Sequence, residues 1–143
     1  MNRKYFIQLI KIIMSIWSDI QDRSSGKSFR AEDLYDFKDP SVISPEKLQE
    51  MLKDGVVHFQ YRKKPKKGQP ENSGEIRDAW GTKQMTIVSK IPYGGDCPPK
   101  RAGYSIYFDL EKEDWRAFAE WRLIGVCPKI LTQDEFNKIL PTL

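Results

Sequence analysis

One histidine, two cysteines and one dense run of cations are the residues of this 143-residue chain whose chemistry can be argued from type and spacing. His58 is the only imidazole, in the alternating stretch GVVHFQYR at 55–62. A nucleophile needs a base beside it. His58 stands on the strand face opposite Phe59 and Tyr61, so it reads as a solvent-facing or half-buried strand residue rather than a catalytic or ligand-sensing one. Cys97 and Cys127 are 30 residues apart and neither is part of a C-x-x-C. With a single histidine to add, they cannot make a dedicated His/Cys zinc site. Two reduced thiols are expected, although one disulfide is formally open. Asp109, Glu111, Glu113 and Asp114 offer hard oxygen ligands, but they lack the alternating spacing of a calcium loop and Lys112 sits among them. A solvated turn is expected there. Tyr93-Gly94-Gly95 is followed by Pro98-Pro99 rather than by the Gly-Lys-Ser/Thr and helix of a phosphate-cradling loop. No catalytic residue, metal or cofactor is therefore expected, and the chain reads as non-enzymatic.

The cations are the remaining chemistry. Arg62, Lys63, Lys64, Lys66 and Lys67 face only Asp54 over residues 54–69, a local charge of +4. Pro65, Gly68, Pro70 and Gly74 deny this stretch regular structure. A cationic hairpin tip suits phosphate contacts, which are sequence-independent and salt-sensitive. Tyr61, Trp80, Tyr104 and Tyr107 lie on adjacent strands. Aromatics beside cations are what unpaired bases stack on; the same rings could equally fill the core beneath a loop that is lysine-rich for solubility. The candidate nucleic-acid-binding set is Arg62, Lys63, Lys64, Lys66 and Lys67 with Tyr61 and Tyr107. The whole chain carries 24 Lys and Arg against 20 Asp and Glu. That mild excess permits a nucleic-acid partner without demanding one.

The elements that must position these residues follow from periodicity. Phe6, Leu9, Ile10, Ile13, Trp17 and Ile20 recur at helical spacing, widened by Tyr5, Ile12 and Ile16, and predict an N-terminal amphipathic helix. Its apolar face has three possible partners: its own domain, a partner or sister subunit, or a membrane surface. Gln8 and Lys11 interrupt the run, so neither a secretory signal nor a stable membrane span is expected. An acidic linker follows. Ser44 as cap and Pro45 at the first helical position then start a short helix with the stripe Leu48, Met51 and Leu52, closed by Gly55. From Val56 the period becomes two. Strands are predicted over 56–61, from Glu75 to about Ser89 with a bulge or bend at Gly81, over 104–109, over 115–118, and over 121–126 with Pro128 breaking the last. In the fourth strand, Trp115 shares its parity with Ala117 and Ala119 and is expected to be buried. Thr132 would cap a C-terminal helix over Phe136, Ile139 and Leu140.

A short helix followed by five strands is the order of a small Sm-like barrel. The runs GVVHFQYRKK at 55–64, RDAWGT at 77–82, YSIYFDLEKEDWRAF at 104–118 and LIGV at 123–126 resemble a family of small WYL-like, Sm-fold domains found mainly in Bacteroidetes and in their phages and mobile elements. The resemblance covers about residues 46–126 and leaves the N-terminal segment and the C-terminal helix unaccounted for. It implies a Sm-like/SH3-like barrel related to ligand- or nucleic-acid-sensing modules. It also implies kinship with ring formers that add strand to strand through exposed edges.

The expected architecture is thus α+β. Residues 1–43 give the amphipathic helix and acidic linker, 44–127 a five-stranded Sm-like/SH3-like β-barrel with a leading helix, and 128–143 the C-terminal helix. The expected function is an accessory binding module of a phage or mobile element, contacting nucleic acid or a nucleotide through the basic loop. The rival is a phage-encoded structural or interaction protein that assembles, with itself or with another phage or host protein, through the N-terminal helix and the barrel edge. Either would work in the cytoplasm of a bacterial host or in association with a virion.

Overall fold

The computed structural model describes residues 35–89 and 95–132. The predicted N-terminal stripe (Phe6, Leu9, Ile10, Ile13, Trp17, Ile20) and the predicted helix over Phe136, Ile139 and Leu140 lie outside the described residues.

Helix α1 spans Pro45–Asp54. The Ser44 hydroxyl accepts the backbone N–H of Lys47 at 3.1 Å, which satisfies one of the orphan donors of the first turn. Leu48, Met51 and Leu52 are buried along its inner stripe. Gly55 opens the next strand, and a Cβ there would lie 2.2 Å from the Leu131 carbonyl oxygen. Strand β1 (Gly55–Arg62) pairs antiparallel with β2 (Ile76–Thr82) on one side and β5 (Leu123–Thr132) on the other. Strands β3 (Tyr104–Asp109) and β4 (Asp114–Ala119) form a hairpin. The sheet order is β4-β3-β2-β1-β5. β2 and β3 share only the pairs Gly81↔Asp109 and Thr82↔Phe108, so the sheet turns there. The expected closed barrel is an open sheet: β4 and β5 do not pair among the described residues.

The inner face is aromatic. Tyr61 and Phe118 stack at 4.3 Å, and Phe59 meets Tyr107 edge-on at 4.9 Å. The α1 stripe covers this cluster together with Ile43, Leu123 and Val126. Burial of each such side chain is worth about 1.5–3 kcal/mol.

Several sequence expectations are corrected. β2 ends at Thr82, and Met85–Val88 form a short helical turn, α2. The parity slip near Gly81, expected as a bulge or a bend within one long strand, falls where the sheet turns and the strand ends. Gly81 is small because a Cβ would sit 2.6 Å from the Tyr107 ring. β5 runs through Pro128 to Thr132 instead of stopping before it, beyond the boundary expected at residue 127. The register jumps from Phe59↔Val126 to Val57↔Ile130, and the irregularity holds a proline that has no N–H to donate. The parity of β4 is the reverse of that expected: Phe118 is buried, Ala117 is exposed and Trp115 is half-buried, its ring edge-on to Phe108 at 5.4 Å. His58 is fully buried rather than solvent-facing. It does point away from Phe59 and Tyr61, but a strap of residues 35–38 covers it, tied to β5 by two backbone hydrogen bonds between Lys38 and Val126 of 2.9 and 2.8 Å. Under the strap the imidazole stacks on Trp80 at 3.9 Å, meets the Phe37 ring edge at 4.8 Å and bonds Asp78 at 2.6 Å.

Candidate nucleic-acid interface

The basic loop is built, not loose. Its neck is closed by the Lys63 N–H donating to the Glu75 carbonyl at 2.8 Å and by the Arg62 guanidinium donating to the Gly74 carbonyl at 2.7 Å. Gly74 must be glycine, since a Cβ would lie 1.8 Å from the Lys63 carbonyl oxygen. The far side is held from another element. After β4 the chain makes one 3-10 turn, Glu120–Arg122. From it Arg122 reaches back and donates to the carbonyls of Lys63 (3.2 Å) and Glu71 (3.3 Å), with the Glu71 carboxylate 3.9 Å away. The loop, the 3-10 turn and β4 thereby enclose one cleft of about 660 Å³.

The floor of that cleft is a saturated polar network. Arg77 of β2 pairs with Asp109 at 2.7 Å and with Glu111 at 3.5 Å. Asp109 also accepts the backbone N–H groups of Glu111 (2.9 Å) and Lys112 (3.0 Å) and the Tyr107 hydroxyl at 3.3 Å. A carboxylate has about four acceptor positions, and all are used. Asp109 is fully buried, so the expected solvated turn is instead organised around an interior carboxylate. Burial alone would lower the Arg77 guanidinium, but the hydrogen bond and charge of Asp109, with Glu111 behind it, raise it. Burial raises Glu111, against the pull of Arg77. Arg77 is thus a permanent cation already neutralised by its neighbours.

The rim is different. Lys63, Lys64 and Arg116 are exposed and Lys112 is half-buried; Lys63, Lys64 and Lys112 have no ion-pair partner among the described residues. In all, seven cationic side chains (Arg62, Lys63, Lys64, Arg77, Lys112, Arg116, Arg122) line the cleft against two carboxylates, Glu71 and Asp109.

The predicted site residues divide accordingly. Tyr61, Arg62, Lys63 and Lys64 line the cleft. Lys66 and Lys67 are exposed on the loop tip and do not line it. Tyr107 is fully buried, so its ring has no face to offer a base; Tyr61 is 7% exposed, with its ring against Phe118. Both are core residues whose hydroxyls meet at 2.7 Å, and burial raises both phenols. Trp80 likewise serves the interior, under His58. The exposed aromatic of the site is Trp121, expected within the last strand but standing on the 3-10 turn before it. Trp121 is 65% exposed and stands on the cleft wall, with the Arg122 guanidinium 4.1 Å from its ring centre. The available signal was the Trp-Arg pair, which occurs at 115–116 and again at 121–122.

The span from α1 into β5, residues 45–124, matches a known family described as WYL_2, Sm-like SH3 β-barrel fold. The chain belongs to the WYL_2 family. No curated protein and no solved structure matches it. The matched region of this WYL_2 domain ends inside β5, just past Arg122, so it holds both the loop and its clamp. Cys97 is exposed and Cys127 buried, and the two do not bridge. Among the described residues no helix is long and apolar enough to cross a membrane.

Proposed function

We propose that this WYL_2 domain is a non-enzymatic binding module that holds the phosphates of nucleic acid in the cleft between the basic loop and β4. The observation that carries this reading is the convergence of seven cations from five separate segments on one cleft whose two carboxylates are committed to Arg77 and Arg122. An unbalanced cationic rim on a rigid neutral floor attracts a polyanion without fixing its sequence. The test is a salt titration of nucleic-acid binding. Lys63→Ser with Lys64→Ser removes two phosphate contacts and should flatten the log–log salt slope by about 1.4–1.8. Lys66→Ser with Lys67→Ser, at the tip, should change the slope much less. Thermal stability should hold in both pairs, because these side chains are exposed. Equal slopes for wild type and the Lys63/Lys64 pair would overturn the proposal.

A second reading, assembly with other copies, is favoured by one observation: β4 pairs only with β3 among the described residues, leaving its outer edge as a template for strand addition. A light-scattering mass equal to the monomer at high concentration would dispose of it.

A further inference from the structure

Trp121 is exposed in a place where exposure has a use. Of the other aromatic rings around the cleft, Tyr61 and Phe118 are buried and Tyr104 is half-buried, yet this largest ring is left 65% exposed on the cleft wall. It is also fixed. The Arg122 guanidinium lies against it at 4.1 Å and is itself fastened by the Lys63 and Glu71 carbonyls. The indole therefore has one side backed by a cation and the other open. The same clamp ties it to the backbone of Lys63, whose neighbour Lys64 shares the rim with Arg116. Ring and phosphate-binding cations form a single pre-organised unit, so little ordering cost remains when a ligand arrives.

A duplex cannot use such a ring, because its base faces are occupied by one another. Among the described residues no α-helix lines the cleft, so none of them offers the usual element for reading a major groove of about 12 Å. The cleft's 660 Å³ falls among small-ligand sites, which run from about 300 to 1,000 Å³.

We infer that the cleft takes an unpaired nucleobase, stacked on the open side of Trp121, with the adjoining phosphates on Lys63, Lys64 and Arg116. The domain accordingly selects single-stranded nucleic acid over duplex. This rests on the phosphate-binding reading above and adds the base to it. An unpaired base with phosphate could also come as a free nucleotide, and the experiment separates the two.

The experiment measures fluorescence anisotropy of a labelled single-stranded 12-mer, of its blunt duplex, and of the 12-mer displaced by a mononucleotide, using wild type, Trp121→Ala, Trp121→Phe and Lys63→Ser/Lys64→Ser. Loss of one stacked base, at about 1–3 kcal/mol, corresponds to about 5- to 150-fold weaker single-strand binding in Trp121→Ala. Trp121→Phe should restore part of this. Trp121→Ala should lose far more single-strand affinity than duplex affinity, and should flatten the salt slope less than Lys63→Ser/Lys64→Ser does. A mononucleotide far weaker than the 12-mer assigns the strand as ligand; equal affinity keeps the stacked base and assigns the free nucleotide, overturning strand selection. Single-strand binding that is unchanged in Trp121→Ala, or duplex binding as tight as single-strand binding, overturns the inference while leaving the lysine result intact. A flat lysine result with no nucleic-acid binding overturns the underlying reading instead.

Discussion

Removing the Tyr61 and Tyr107 hydroxyls one at a time and then together tests the network beneath the cleft. The Tyr107 hydroxyl donates to Asp109 Oδ2 at 3.3 Å, so its oxygen is left to accept from Tyr61 at 2.7 Å. Tyr107→Phe strands the Tyr61 hydroxyl at a position 7% exposed and should cost about 1–3 kcal/mol, the usual penalty for an unsatisfied buried polar group. Asp109 loses little, since Arg77 and two backbone N–H groups still hold it. Tyr61→Phe leaves Tyr107 its bond to Asp109 and should cost about 0.5–1.5 kcal/mol. The double variant removes both hydroxyls and strands neither. Its cost should fall short of the sum of the singles by about 1 kcal/mol, well above the 0.3–0.5 kcal/mol within which independent sites add. Urea unfolding at neutral pH measures this. With a slope of about 1–3 kcal/mol per molar, a 1 kcal/mol coupling separates the observed and additive midpoints by about 0.3–1 M. Strict additivity would mean that the hydroxyls do not depend on each other, and the directed chain from Tyr61 to Asp109 would be wrong.

Two further expectations follow from the same core. Phe118→Ala should cost about 3–5 kcal/mol, because the ring stacks on Tyr61 inside the cluster, whereas Trp115→Ala, half-buried on the other face, should cost under half as much. The reverse order in thermal unfolding would restore the parity expected from sequence. Burial raises both phenols, so above about pH 10 an unfolded tyrosine loses its proton while the folded one keeps it. The unfolded state then binds fewer protons and stability falls as pH rises. Melting temperatures of wild type and the Tyr61→Phe/Tyr107→Phe variant should diverge on that alkaline limb, and parallel curves would refute the assignment.

The elements written in local chemistry were legible. Ser44 and Pro45 announce α1, and the alternation of Val57, Phe59 and Tyr61 announces β1 and its inward face. What failed was what depends on a distant partner. Nothing around Trp115 reveals that Phe118, three residues on, is the ring that meets Tyr61. His58 looks like an outward strand residue until residues 35–38 cross over it. Pro128 ends a strand by its own chemistry, and continues one only because the pairing with β1 skips there. The cations of the loop could be read directly from the sequence. Arg116, Trp121 and Arg122 could not: Arg116 reaches the cleft from β4, and Trp121 and Arg122 reach it from the 3-10 turn that brings Arg122 against the Lys63 and Glu71 carbonyls.

The two edges of the sheet are not equivalent, and this restricts any assembly by strand pairing. On β5, Val126 spends both its N–H and its carbonyl on Lys38, and Pro128 has no N–H to give. That edge is interrupted, while β4 stays open among the described residues. Head-to-tail rings require two complementary edges on every subunit, whereas one usable edge can only meet its own copy about a two-fold axis and stop at two. The β4 residues Arg116–Ala119 that such a pair would use also line the basic cleft. A domain joined in this way would bring two cationic clefts together at its seam, so like charge would oppose the pairing and a polyanion bridging both clefts would favour it.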